Sequence, residues 1–373
     1  MSKARDLADF QGSASALTTG TLPVDRVPYV GRRNLIMNGD FRIWQRGDQD
    51  RITDVTDLAT YPIYQVVPDR FRLGNISIGN STVGRSTSSK EVVDGANWAR
   101  VDINTGYNGT TAIFRTLVTM VEYRDGLMLP NSTVTLSFNF RAKTNGQYSV
   151  AFGYPHDDTF TIYSWDYVGA GSSQKVEITT TIPSDFLTQE SGGDTGETAD
   201  KSIELYFCYG SGSEAATISD DTNLNGVYNV PGTATLTRAS DYKFWEISGE
   251  WVAFNNVQLE LGSVATPFEH RSYGEELALC QRYFETMGHW SGQSSYADIW
   301  SMPLNNFTNC WAPHQYKVRK RVRPTITLVD GSWSNATPTY NPTIDAVLFQ
   351  SNNFFYISDI YNGEHAIEVD AEL

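Results

Sequence analysis

Cysteine is scarce in this sequence: Cys208, Cys280 and Cys310 are the three in 373 residues, an odd number spread along the chain. Such a count does not build the disulfide framework of a small secreted fold, and it fits assembly in a reducing cytoplasm. Histidine is nearly as rare. The five, at positions 156, 270, 289, 314 and 365, show neither a His-x-x-x-His spacing nor a nearby cysteine pair, so no zinc site is expected. No apolar run approaches the ~20 residues of a membrane span, and the opening Met-Ser-Lys-Ala-Arg, followed by Asp6, lacks the apolar stretch of a signal peptide. Membrane insertion is therefore not expected. Positive charge is also short. Lys and Arg number 28 against 43 Asp and Glu, a formal net charge of -15, and the resulting field repels a nucleic acid. Gly-x-Ser-x-Gly, a P-loop and a dinucleotide fingerprint are all missing, so the expectation is a protein that is not an enzyme and carries no resident cofactor.

What is present points to strands. Aromatic residues make up 13% of the chain and glycines number 30, a bias toward strands and turns over long helices. The length suits two or three domains with cores of their own. Alternating stretches bounded by turn residues predict strands within 34–38 and 41–45, and at 98–103, 112–121, 133–141, 148–152, 160–167, 175–182, 203–209, 232–237 and 242–247, the spacing of a β-sandwich. Phe254, Val257, Leu259 and Leu261 then alternate with Asn255, Asn256, Gln258 and Glu260, a half-buried strand with one slip. Ser272 followed by Glu275 is a capping-box spacing. Leu277, Cys280, Phe284 and Met287 recur at three and four after it, and Gly288 stands where a left-handed cap belongs, so a helix of about four turns is predicted over 272–287. Beyond it, residues 290–373 again read as strands separated by Gly, Asn, Ser and Pro, a second and smaller sandwich.

Two strings carry a resemblance. VQLELGSVATPFEHRSYGEELALCQRYFE and GRRNLIMNGDFRIWQRG resemble segments that recur in bacteriophage tail-fibre and related virion proteins, as do ARDLADF and TLPVDRVPYVGRRNLI ahead of them. Phe71 in PDRFRL replaces the tryptophan more usual there. The resemblance implies that the two long strings bracket a jelly roll like carbohydrate-binding modules, followed by a small β domain. The expected fold is thus all-β: an N-terminal extended arm (1–33), a jelly-roll β-sandwich (34–270), a short connecting helix (271–288) and a smaller C-terminal β-sandwich (289–373) facing a receptor. The arm carries Lys3, Arg5, Arg26, Arg32 and Arg33 against Asp6, Asp9 and Asp25 and too little apolar surface for a core, so it orders only by docking. The resemblance makes it the attachment or oligomerisation segment toward other virion proteins; a disordered leader is the other reading. The implied setting is a phage particle assembled in the host cytoplasm.

Candidate chemistry is thinner than the framework. Flat aromatic faces stack on pyranose rings while amides take their hydroxyls, and the distal domain holds Trp290, Trp300, Trp311, Trp333 and Tyr340 with Asn335 and Asn341. Core packing is the ordinary fate of such rings; Trp333, in a turn-rich stretch, is the one expected to be exposed. Lys317, Arg319, Arg321 and Arg323 alternate with Val318, Lys320 and Val322, so four cations would line one face of a strand, to grip an acidic ligand, pair with a neighbouring protomer or simply be solvated. Asp221, Asn223 and Asn225 with Gly226 open like a calcium loop, but position twelve is Gly232 instead of Glu, which leaves an Asx-rich turn as the alternative to a calcium site. Asp157 and Asp158, beside His156, Phe160, Tyr163 and Trp165, are the place a depolymerase would keep its carboxylates; an aromatic-rimmed loop without turnover is the alternative. The acidic stretch 188–201 reads as a surface loop. Three functions are carried forward: a tail fibre or tail-tip protein that binds a host-surface glycan or protein as a homotrimer, a non-adhesive head fibre, decoration or baseplate connector, and a polysaccharide depolymerase.

Overall fold

The computed structural model describes residues 33–46, 68–76, 81–86, 97–103, 105–106, 113–126, 128–154, 159–184, 201–211, 217–218, 225–229, 237–238, 242–289, 296–300, 302–304, 309–328, 332–334, 337–352, 356–358 and 365–371. The arm (1–32), His156, Asp157, Asp158, Asp221, Asn223, Trp290, Asn335 and the acidic stretch 188–200 lie outside them.

The strands of the first domain are β1 (Phe71–Ile76), β2 (Ser81–Ser86), β3 (Trp98–Ile103), β4 (Ile113–Glu122), β5 (Thr133–Ala142), β6 (Gly146–Tyr154), β7 (Thr159–Tyr167), β8 (Gln174–Thr181), β9 (Lys201–Ser211), β10 (Thr217–Ile218), β11 (Asn225–Asn229), β12 (Thr237–Arg238) and β13 (Trp251–Leu261). One sheet runs β1-β4-β9-β6-β7-β11, the other β2-β3-β13-β5-β8. From β4 to β9 the chain crosses between the sheets at every step but the β6-β7 hairpin, the jelly-roll manner of a sandwich. The period-two pattern sets which side is buried: in β8, Val176, Ile178 and Thr180 face inward while Lys175, Glu177 and Thr179 face solvent. Aromatic edges pack on faces in the core, with Phe138 and Phe140 at 5.3 and 5.1 Å from the Trp165 ring. Tyr163 and Trp165, expected near a loop rim, belong to this core, and the Tyr163 hydroxyl donates to Thr180.

The second domain adds β14 (Phe284–His289), β15 (Tyr296–Trp300), β16 (Met302–Leu304), β17 (Asn309–Gln315), β18 (Thr325–Leu328), β19 (Ser332–Ser334), β20 (Thr339–Pro342), β21 (Ala346–Ser351), β22 (Tyr356–Ser358) and β23 (His365–Asp370). They form three sheets, β14-β23-β18, β15-β22-β19 and β16-β17-β21-β20. Met287, Cys310, Tyr316, Ile326, Val347, Phe349, Ile367 and Val369 share its core.

The slip expected in β13 is a bulge. Register against β5 shifts between Asn255 and Gln258, and Asn256 takes φ +52°, a left-handed value that Asn tolerates better than most residues. There the other edge of β13 changes partner. β3 pairs only Trp251 to Phe254; past the bulge the edge is taken by residues 34–39. Leu35 N donates to the Leu259 oxygen and Val257 N to the Gly39 oxygen, while the Asn34 amide bridges Val257 O and Leu259 N. A side chain at Gly39 would overlap the Val257 carbonyl, so glycine is required by close approach. The expected strands at 34–38 and 41–45 are corrected: residues 33–46 form turns and irregular backbone, with Asn38 and Phe41 at φ +57° and +53°. Burial of Leu35, Ile36, Phe41 and Ile43 produces an alternation that reads like a strand but comes from docking.

Three more expectations are corrected. The helix spans Tyr273–Gln281, with the Ser272 hydroxyl accepting from Glu275 N at 3.2 Å as expected; Phe284, Met287 and Gly288 belong to β14, whose pairing with β23 satisfies the backbone that a longer helix would have used. Residues 244–246 form a 3-10 turn, Phe244–Glu246, not a strand. The cationic stretch 317–323 is a non-strand connection between β17 and β18, and its buried member is Lys320. The Lys320 ammonium donates to Glu285 at 2.7 Å and to the Gln281 carbonyl, with both charged side chains fully enclosed.

That pair sits in the seam between the domains. Arg282 binds Glu122 of β4 through two bonds of 2.9 and 2.7 Å, and the Arg70 guanidinium lies 3.4 Å over the Tyr283 ring. From the distal side, Arg321 N donates to Arg282 O and Ala371 N to Tyr283 O. Removing one partner of a buried ion pair costs about 3–5 kcal/mol, because the other charge stays enclosed without it. Lys320→Met is therefore expected to lower the unfolding free energy by about that much in denaturant titration, and the Lys320→Met, Glu285→Leu double variant to recover most of the loss; equal loss in both would mean that packing, not charge, holds the seam.

Candidate functional site

The outer face of β16-β17-β21-β20 is where aromatic and polar side chains converge. In β17, Cys310 and Ala312 turn into the core and Trp311 and Pro313 away from it; in β21, Val347 and Phe349 turn inward and Gln350 outward. Cross-strand register then aligns Trp311 with Gln350 and Gln350 with Thr339, followed one row on by Pro313, Leu348 and Asn341. Residues opposite each other on adjacent strands share a face, with Cβ atoms about 5 Å apart. At the end of this sheet an open cleft of about 390 Å3 is lined by Trp311, Thr337, Thr339, Gln350, Ser351 and Asn352. Trp311 is 46% exposed, and the Thr339 hydroxyl donates to the Gln350 carbonyl at 3.3 Å. One indole face, two threonine hydroxyls and two amides supply stacking and hydrogen bonds in both directions.

The residues singled out from sequence divide. Asn341 lies on the same face as Trp311, and its side-chain oxygen accepts from Arg323 at 2.9 Å. Tyr340 is 49% exposed but on the opposite parity: it pairs with Phe349, its ring 6.1 Å from that core ring, so it does not reach the cleft. Arg319 is a solvated surface cation 3.6 Å from Asp345. Arg321 is spent on the seam, half-buried with its guanidinium 5.7 Å from the Tyr283 ring. Trp333, expected in a turn, lies in β19 opposite Ile357 of β22. Asn225 opens β11 opposite Tyr163, and Gly226 pairs with Ile162. Among the described residues no group of three His, Cys, Asp or Glu is arranged to hold a metal ion, and no helix is long and apolar enough to cross a membrane.

The sequence places Trp311 among the distal aromatics and singles out Trp333 as the exposed one; Gln350, Thr337, Thr339, Ser351 and Asn352 are not among its candidates. The usable signal was parity: small Cys310 and Ala312 flank Trp311, and Val347 with Phe349 set Gln350 outward.

A comparison with protein-family models finds no match, and neither does one with curated proteins. Among solved structures, the chain is similar to a proposed sugar-binding protein from Bacteroides thetaiotaomicron VPI-5482, at 16% identity and TM-score 0.31 over 61% of this chain and 100% of that one. It is similar to the CBM22-1–GH10 modules of Clostridium thermocellum xylanase 10B complexed with xylohexaose, at 9% and 0.29 over 60% and 30%. A third likeness is to the tripod from the baseplate of bacteriophage Tuc2009, at 12% and 0.22 over 64% and 75%. Likenesses this distant carry no argument about the site, which stands on its own residues.

A half-exposed ring on an outer face contributes little to folding, whereas truncating a buried one opens a cavity. Trp311→Ala is expected to change the unfolding free energy by less than about 1 kcal/mol, against about 3–5 kcal/mol for Phe349→Ala one position away; thermal or denaturant unfolding of the two variants checks the assignment of faces.

Proposed function

We propose that this chain is a virion component, a phage tail fibre or tail-tip protein, that binds a saccharide of the host surface through the outer face of β16-β17-β21-β20. The observation that carries the reading is the outward-facing Trp311 set beside Gln350 and Thr339 in one cross-strand row. An exposed indole on a rigid sheet stacks a pyranose ring with little loss of side-chain freedom, and its neighbours answer the ring hydroxyls. The phage setting comes from the two long strings and their resemblance to tail-fibre proteins. Binding is proposed without turnover, since the described residues of the cleft lining hold none of the paired carboxyls that glycoside hydrolysis uses.

A second reading is a non-adhesive virion protein, a head fibre, decoration or baseplate connector. One observation favours it: the residues of the two strings are occupied in joining domains, with Asn34, Asn38, Arg271 and Glu276 bonded to one another's segments, so the resembling parts belong to the scaffold and leave the role open.

A glycan panel probed with the full chain and with Trp311→Ala separates the two. The adhesive reading expects at least one saccharide to bind the full chain and the variant to bind it tenfold or more weakly, a loss of about 1.4 kcal/mol or more; silence across the panel favours the connector. A shallow site of this kind gains from repetition, so a homotrimer held by residues 1–33 and the seam around the helix is proposed, with residues 1–33 also meeting other virion proteins. Light scattering on the full chain should return three times the monomer mass, and a monomer at micromolar concentration would remove the trimer.

A further inference from the structure

We infer, resting on the glycan-binding reading above, that the cleft at the end of β16-β17-β21-β20 selects uncharged saccharides. The argument starts from its lining. Trp311, Thr337, Thr339, Gln350, Ser351 and Asn352 surround the cleft, and not one of them ionises in the working pH range. A carboxylate, sulfate or phosphate placed among them gives up part of its hydration and meets no cation, and burying a charge without a partner is costly. A neutral sugar loses far less. Its hydroxyls both donate and accept, and the side-chain amides of Gln350 and Asn352 do the same. The chain as a whole adds a field of the same sign as an acidic glycan, with a formal net charge of -15, which slows the approach of polyanions.

The cations on this domain lie elsewhere. Lys317 is exposed past the end of β17, six residues from Trp311, Lys320 is enclosed with Glu285, Arg319 sits beside Asp345, and Arg321 is in the seam against Tyr283. Arg323 is the cation nearest in register, held by Asn341. Asn341 lies two residues along β20 from Thr339, about 7 Å at the rise of a strand. A sugar stacked on Trp311 therefore lies against hydroxyls and amides, and only a charged substituent reaching a full row further would find the Arg323 guanidinium. The cationic stretch at 317–323, which in sequence looked like a grip for acidic ligands, does not face the cleft as a group.

Titration calorimetry on the full chain tests this, with two sets of probes: oligosaccharides of neutral hexoses and N-acetylhexosamines, and counterparts carrying uronate or sialate. Each set is run at low salt and at ~0.5 M NaCl, where screening shortens to a few ångströms. Selection of neutral saccharides expects binding by the first set, within about twofold at the two salt concentrations, and binding of the acidic counterparts about tenfold or more weaker. Tighter binding of the acidic set, falling with salt and falling again in Arg323→Gln, would overturn the inference while leaving a glycan site in place, provided that Trp311→Ala still abolishes it. Failure of every probe to bind, or binding indifferent to Trp311→Ala, takes down the glycan reading itself and this inference with it.

Discussion

The second half of β13 has an edge that must be satisfied, and much of the molecule's arrangement follows from how this is done. A buried strand cannot leave its peptide groups unpaired, yet β3 stops pairing at Phe254. The bulge at Asn256 turns the free edge toward residues 34–39, which pair with it through Asn34, Leu35 and Gly39. Asn38, so placed, donates its backbone N–H to Glu276, and its side chain bonds Ile43 and the Asp69 carbonyl. Arg271 donates to the carbonyls of Asn34 and Ile36 and pairs with Glu269 and Glu276. The helix is thereby fixed against the sandwich, and the direction in which the chain enters β14 is set with it.

The seam is polar where a domain interface of this size could have been greasy. Arg271 and Glu276 are both nearly enclosed, as are Lys320 and Glu285, and desolvating such groups offsets most of what their attraction contributes. What they supply is a unique geometry: each charged group has one position in which its partners are met, and sliding the domains by a single residue would strand several at once. Burial lowers the Lys320 pKa, and the Glu285 bond opposes that fall. Cation and ring contacts, Arg46 at 3.7 Å over Phe284 and Arg70 over Tyr283, use the same arginines to cover apolar surface.

Where a residue's neighbours in sequence decide its structure, the sequence was readable. β3, β5, β7 and β8 fall within a residue or so of the expected strands, because regular alternation suffices to set a face; the Ser272 cap is equally local. What escaped depends on partners far away. Residues 34–46 look extended by alternation and are not, since their contacts are with residues 257–276. Phe284 and Met287 carry a helical spacing that pairing with β23 overrides, and Lys320 gives no hint in its own stretch that Glu285 awaits it. The candidate cleft was half legible: an aromatic and amides of the distal domain do line it, but placing Trp311 there needed the parity of two neighbouring strands, and setting Tyr340 apart from it needed the register that puts it opposite Phe349.

β14 and β23 are antiparallel neighbours, so the strand by which the chain enters the distal domain pairs with the last strand described. That closure makes the distal half a cassette. Its attachment to the sandwich runs through residues 281–285, through the groups that reach back to them, among them Lys320, Arg321 and Ala371, and through the Arg46–Asp370 ion pair. The cleft stands on a separate sheet, and none of the residues that line it takes part in that attachment. Exchange of the cleft-bearing sheet, by recombination or by design, can therefore proceed with these attachment groups held constant, and two chains that share the sandwich, the 281–285 stretch and the residues that reach back to it can carry unrelated outer faces.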